Sequence, residues 1–115
     1  MEKRELSIIQ KTYDLIAWYV QRINTFPRDT KFTLGDRLQN TLYDLLEGLI
    51  KARYRRDKGP LLESLNAELD ILRYQTRLCR EFDIFDERRY EYVGGLINEI
   101  GKELGGWIRQ QRKNG

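Results

Sequence analysis

The chain has 115 residues, a net charge of +3, no histidine, one cysteine and 34% charged residues. That length holds one small core, and a chain without histidine has no Ser-His-Asp triad, no Cys-His dyad, no His-ligated zinc and no Glu-x-x-His di-iron site. No run approaches the roughly 20 apolar residues of a membrane helix, and a lone Cys79 behind a charged Met-Glu-Lys-Arg-Glu start predicts a reducing, cytoplasmic setting.

Apolar residues recur at helical spacing along the whole chain. Leu6, Ile9, Tyr13, Ile16, Val20 and Ile23 step by three and four, which predicts a first helix over about 5–25 buried along that stripe. Phe26-Pro27 ends it, because a residue before proline is pushed out of the α region. Thr33 is the expected N-cap of a second helix over about 34–57, with Asp36 in its first turn and a seam of Leu38, Leu42, Leu45, Leu49 and Ala52. Gly59-Pro60 is a stop signal. Leu62, Leu65, Leu69, Leu72, Thr76 and Cys79 mark a third helix over about 61–81. After a short connection from Phe82 to Phe85, Asp86 is placed to cap a fourth over about 87–111, with a seam of Tyr90, Val93, Ile97, Ile100, Leu104 and Trp107. No period-two strand pattern, repeat or linker interrupts this, so one domain spanning 1–115 is expected. Its fold class is all-α, an antiparallel up-down-up-down four-helix bundle.

Apolar residues outside the seams need a second explanation. Ile8, Leu15, Trp18 and Tyr19 on the first helix, Tyr43, Leu46 and Ile50 on the second, and Ile71 and Leu78 on the third serve either a wide core or a subunit interface. The fourth helix carries Gly94, Asn98, Gly101 and Gly105 on one face. Such a smooth face admits another helix closely, and Asn98 there would fix its register. Gly94, Asn98, Gly101, Gly105 and Trp18 are therefore the expected oligomer contacts.

The charge is segregated. Residues 51–58 hold Lys51, Arg53, Arg55, Arg56 and Lys58 against Asp57 alone; residues 71–80 hold Arg73, Arg77 and Arg80 with no acid; Arg109, Arg112 and Lys113 close the chain. An antiparallel bundle gathers the first and last of these groups, with Lys3 and Arg4, at one end. Guanidinium groups pair bidentately with phosphate, and the interleaved Tyr54 and Tyr74 are rings on which bases stack. An acidic protein surface would suit the same residues.

Signals for catalysis are thin. The carboxylate pairs Asp83/Asp86 and Glu99/Glu103 sit at helical spacing beside cations such as Lys102, and Cys79 falls on a core position. No P-loop, dinucleotide fingerprint or metal-ligand cluster is present. The expectation is a binding protein with no cofactor, no metal and no catalytic residue.

Two runs carry a more specific signal: PRDTKFTLGDRLQNTLYDLLEGLIKARY (27–54) and LNAELDILRYQTRLCREFDIFDERRYEYVGGLINEIGKELGGWIRQ (65–110). In order and spacing they resemble the accessory variability determinant (Avd) proteins of diversity-generating retroelements, within a wider four-helix-bundle family that includes proteins encoded in 23S rRNA intervening sequences. The resemblance implies a small bundle that assembles into a pentameric, basic-surfaced barrel. It further implies binding to the retroelement's reverse transcriptase and to RNA and DNA, in support of mutagenic retrohoming. It points to Arg73 and Arg77, inside the matching ILRYQTRLCREF segment, with Arg80 beside them. Lys51, Arg53, Arg55, Arg56, Lys58, Arg109 and Arg112 are binding candidates on charge alone. Two other readings stay open: a bundle of the intervening-sequence type with no polymerase partner, and a purely structural oligomerisation module.

Overall fold

A computed structural model of the chain describes residues 3–114; residues 1, 2 and 115 of the expected domain lie outside the described residues. Its helices are α1 (Lys3–Ile23), α2 (Arg28–Lys31), α3 (Leu34–Tyr54), α4 (Gly59–Glu81) and α5 (Glu87–Asn114). The four long ones pack as a bundle measuring 46 × 24 × 20 Å. Going round it, α1 packs on α3, α3 on α4, α4 on α5, and α5 closes back on α1. Among the described residues there is no strand.

The leucine seams of α3, α4 and α5 form the core. Leu38, Leu42, Leu45 and Leu49 of α3 are fully buried, as are Leu62, Leu69 and Leu72 of α4 and Val93, Ile100 and Leu104 of α5. Between α3 and α4 the helices are close enough that a Cβ on Gly48 would run into the side chain of Leu65. A larger residue there would have to displace the Leu65 side chain.

α1 is rotated from its expected orientation. Its buried line is Ile8, Thr12, Leu15, Ile16, Tyr19 and Ile23, while Leu6 and Tyr13 of the predicted stripe are 48% and 61% exposed. The cause is Thr12. Its hydroxyl donates to the carbonyl of Ile8 at 2.8 Å, so a polar residue sits in the core with its hydrogen bond made inside the helix. Tyr19 is likewise accommodated by a short hydrogen bond with the Thr76 hydroxyl of α4.

The connections also differ in detail. α1 stops at Ile23, and the four-residue α2 fills the stretch after Pro27; so short a helix has no apolar period to reveal it. Thr33 precedes α3, but its hydroxyl donates back to the Asp29 carbonyl at 3.1 Å and makes no side-chain cap. α3 ends at Tyr54, and Gly59-Pro60 opens α4, with proline in the first turn where its missing N–H costs nothing. α4 closes in a Schellman turn: Asp83 takes a left-handed φ of 59°, Asp83 N–H donates to Arg80 O, and Ile84 N–H donates to Cys79 O. Asp86 does cap α5, its carboxylate accepting from the Arg89 N–H at 2.8 Å.

Candidate functional site

Two positively charged regions emerge. At one end of the bundle stand the N-terminus of α1, the α3–α4 connection and the C-terminus of α5. Arg4 donates from Nη1 to the Gly106 carbonyl at 3.1 Å and to Gln110 Oε1 at 2.9 Å, and with Arg109 and Lys113 it lines a cavity of about 320 Å³. Among the described residues, no carboxylate lines that cavity. Beside it, Arg56 and Arg112 flank a second hollow, of about 460 Å³, that also contains Asp57 and Glu63. Arg112 is paired with Glu63 at 2.6 Å. Arg55 and Arg56 are exposed, and Lys51 projects from the last turn of α3.

Two members of this end are engaged locally. The Lys58 ammonium donates to the carbonyls of Ala52, Arg53 and Arg55 at 2.7, 2.9 and 2.8 Å. It thereby satisfies acceptors that the end of α3 leaves orphaned, at the negative pole of that helix. The Arg53 guanidinium lies 5.5 Å from the centre of the Tyr54 ring. Charge alone marks both as binding candidates; the geometry gives Lys58 a structural task.

The second region is the groove between α4 and α5. Arg73 is half-buried and 3.6 Å from Asp70, and Arg80 is 3.3 Å from Asp83. Arg77 is exposed and, among the described residues, has no ion-pair partner. The expected glycine face turns out to be this groove's α5 wall. A Cβ on Gly101 would strike the Arg73 guanidinium, so the missing side chain lets that arginine lie across α5. Gly105 is in contact range of Arg109, one turn along its own helix. Gly94 and Gly95 have nothing within 4 Å of a Cβ and leave a trough, with Asn98 exposed at its rim. Arg73 and Arg77 of the arginine stripe and Gly94, Asn98 and Gly101 of the glycine face thus meet in one groove, whereas Arg80 pairs with Asp83 and Gly105 lies against Arg109. Tyr90 belongs to it as well; assigned to the core by its spacing, it is half-buried and lines the groove. Its place at the edge of the seam is the only sequence signal that it has an exposed side.

Trp18, an expected oligomer contact, has partners within the chain. It packs edge-on to Tyr19 and Phe85 at 5.2 and 5.6 Å between ring centres, with Arg22 over its face at 4.6 Å. Exposed apolar side chains lie elsewhere, among them Leu6 and Tyr13 on α1, Tyr43 and Ile50 on the adjoining α3, and Ile71 and Leu78 on α4.

The acidic pairs and the thiol are occupied. Lys11 bridges Glu103 at 2.5 Å and Glu99 at 3.6 Å, and its hydrogen bond to Glu103 raises its pKa further above the ordinary lysine value. Asp83 and Asp86 serve the turn and the cap described above. Burial pushes the Cys79 thiol up to about 12, which leaves it protonated and a poor nucleophile at neutral pH. Among the described residues, no helix is long and apolar enough to cross a membrane.

The model of the bAvd-like family matches residues 6–111, which takes in α3, α4, most of α1 and α5, and the α4–α5 groove, while Arg4, Arg112 and Lys113 of the basic end fall outside it. A comparison with curated proteins finds no match.

Proposed function

The chain belongs to the bAvd-like family, and from that footing we propose that it is the non-catalytic accessory protein of a diversity-generating retroelement. In this reading it binds nucleic acid (template-repeat RNA and its cDNA) and the reverse transcriptase, and brings the two together. The observation that carries the reading is the convergence of Arg4, Arg55, Arg56, Arg109 and Lys113 at one end, with no carboxylate among the described residues lining the cavity around Arg4. A polyanion is the partner such a surface fits. We further propose a homo-oligomer, a pentamer as in Avd proteins, joined through the exposed apolar side chains of Leu6, Tyr13, Tyr43 and Ile50. The glycine face is a poorer candidate for that joint because Arg73 already occupies part of it.

Fluorescence anisotropy of a labelled RNA, titrated from about 50 to 200 mM salt, tests the nucleic-acid role. Each phosphate contact contributes roughly 0.7 to the log–log slope for a single strand and roughly 0.9 for a duplex. Replacing Arg73 and Arg77 with alanine is expected to weaken binding and flatten the slope while helix content stays intact. Wild-type protein that binds no RNA at 50 mM salt would remove the nucleic-acid role and leave the reverse transcriptase as the partner. Light scattering on the same sample reads the assembly, expected as a mass several times that of one chain.

A further inference from the structure

The α4–α5 groove differs in chemistry from the basic end. Two adjoining cavities, of about 380 and 240 Å³, share Arg73 and Tyr90 as walls. The larger is the trough over Gly94 and Gly95, with Asn98 and Glu91 beside it. The smaller lies among Asp70, Tyr74 and Arg77. The larger falls in the size range of small-ligand clefts, about 300–1,000 Å³. One groove therefore holds guanidinium groups, two phenol rings, an amide, carboxylates and a stretch of helix without side chains.

We propose that this groove takes unpaired bases of a single-stranded nucleic acid, so that the protein distinguishes single strands from uniform polyanions. The inference rests on the nucleic-acid role proposed above and assigns it a mode and a place. Arg77, exposed and without an ion-pair partner among the described residues, and Arg73, laid across Gly101, meet backbone phosphates. Tyr74, 61% exposed, and half-buried Tyr90 give flat surfaces on which any base stacks. The trough at Gly94 and Gly95 is the depth a base needs beside a helix, because no Cβ fills it. Asn98 supplies both donors and an acceptor at the rim, and Glu91 and Asp70 can accept from base N–H groups. Duplexes keep their base faces stacked within the helix, so only a single strand offers them.

The test compares a labelled twenty-nucleotide oligothymidylate with an abasic strand carrying the same number of phosphates, using the full-length protein. Wild-type protein is expected to prefer the base-bearing strand by roughly tenfold, the size of one stacked base. Gly94→Leu fills the trough without changing charge, and open space around that position means the fold tolerates it. In this variant the preference is expected to vanish while affinity for the abasic strand and its salt slope stay put. Tyr74→Ala, at a surface ring, is a second variant expected to shrink the preference. Equal binding of the two strands by wild type would overturn the inference and leave the electrostatic role standing. A preference that survives Gly94→Leu would also overturn it, and loss of reverse-transcriptase binding in that same variant would assign the groove to protein. Wild-type protein that binds neither strand would overturn both the inference and the role on which it rests.

Discussion

The two ends of this bundle are built on opposite terms. At one, α1, the α1–α3 connection and the α4–α5 turn bury Tyr19, Phe26 and Phe85, with Trp18 against them. Phe85 lies within 5.6–5.9 Å, ring centre to ring centre, of Trp18, Tyr19 and Phe26. At the other, Arg4, Arg55, Arg56, Arg109, Arg112 and Lys113 are all exposed. The aromatic end holds the helices in register by burial. The basic end has its own buried layer, with Ile8, Ala52, Leu62 and Trp107 inside, and sets its charge around the outside of it. A small bundle can present so much positive charge because the arginines and lysines stay in solvent while apolar residues beneath them hold the helices together.

The largest effect expected from breaking that contrast is at Phe85. Replacing it with alanine removes the ring common to three contacts and is expected to cost about 3–5 kcal/mol, measured by urea unfolding. A loss under 1 kcal/mol would mean that the aromatic end is not the anchor. Alkaline pH probes the same end. Cys79 and Tyr19 both titrate well above their ordinary values because burial penalises their charged forms, the Cys79 thiol at about 12. A raised folded-state pKa leaves stability intact below the unfolded value and removes it as pH climbs toward the folded one. For Cys79 that window is about pH 9–12, with a slope near 1.4 kcal/mol per pH unit for one proton. Unfolding curves of wild type and Cys79→Ala across that window should diverge by that slope. Parallel curves would show that the thiol is not coupled to folding.

How far the sequence carries depends on what each residue reports. The seams of α3, α4 and α5 are legible because leucine, valine and isoleucine fill most of their positions, with Ala52, Thr76, Cys79 and Trp107 buried at others. α1 misleads because hydrophobicity alone prefers Tyr13 to Thr12, whereas the helix buries Thr12 by bonding its hydroxyl to Ile8. The glycines of α5 are plain in the sequence, and so are the arginines of α4. What cannot be read is that Arg73 crosses to Gly101, since that depends on the register between two helices, which no spacing within either one encodes. The gathering of charge at one end is legible from topology. The division of labour within it is not, because a lysine that caps and a lysine that binds look alike in a basic run.

Lys58 and its neighbours Arg55 and Arg56 separate those roles, with the smallest expected change in stability. Lys58→Met strips three hydrogen bonds from the carbonyls ending α3 and is expected to cost about 1–2 kcal/mol, the range of a lost helix cap and a charged hydrogen bond. Replacing Arg55 and Arg56 with glutamine removes two exposed side chains and is expected to shift stability by no more than about 0.5 kcal/mol. RNA binding should reverse the order. The arginine pair would flatten the salt slope by roughly 1.4 for a single strand, two contacts' worth, while Lys58→Met leaves it where it was. If Lys58→Met flattens the slope and leaves the unfolding curve unmoved, the lysine has left α3 for the ligand. The basic end would then be uniform in function as well as in charge, and the contrast between the two ends would be complete.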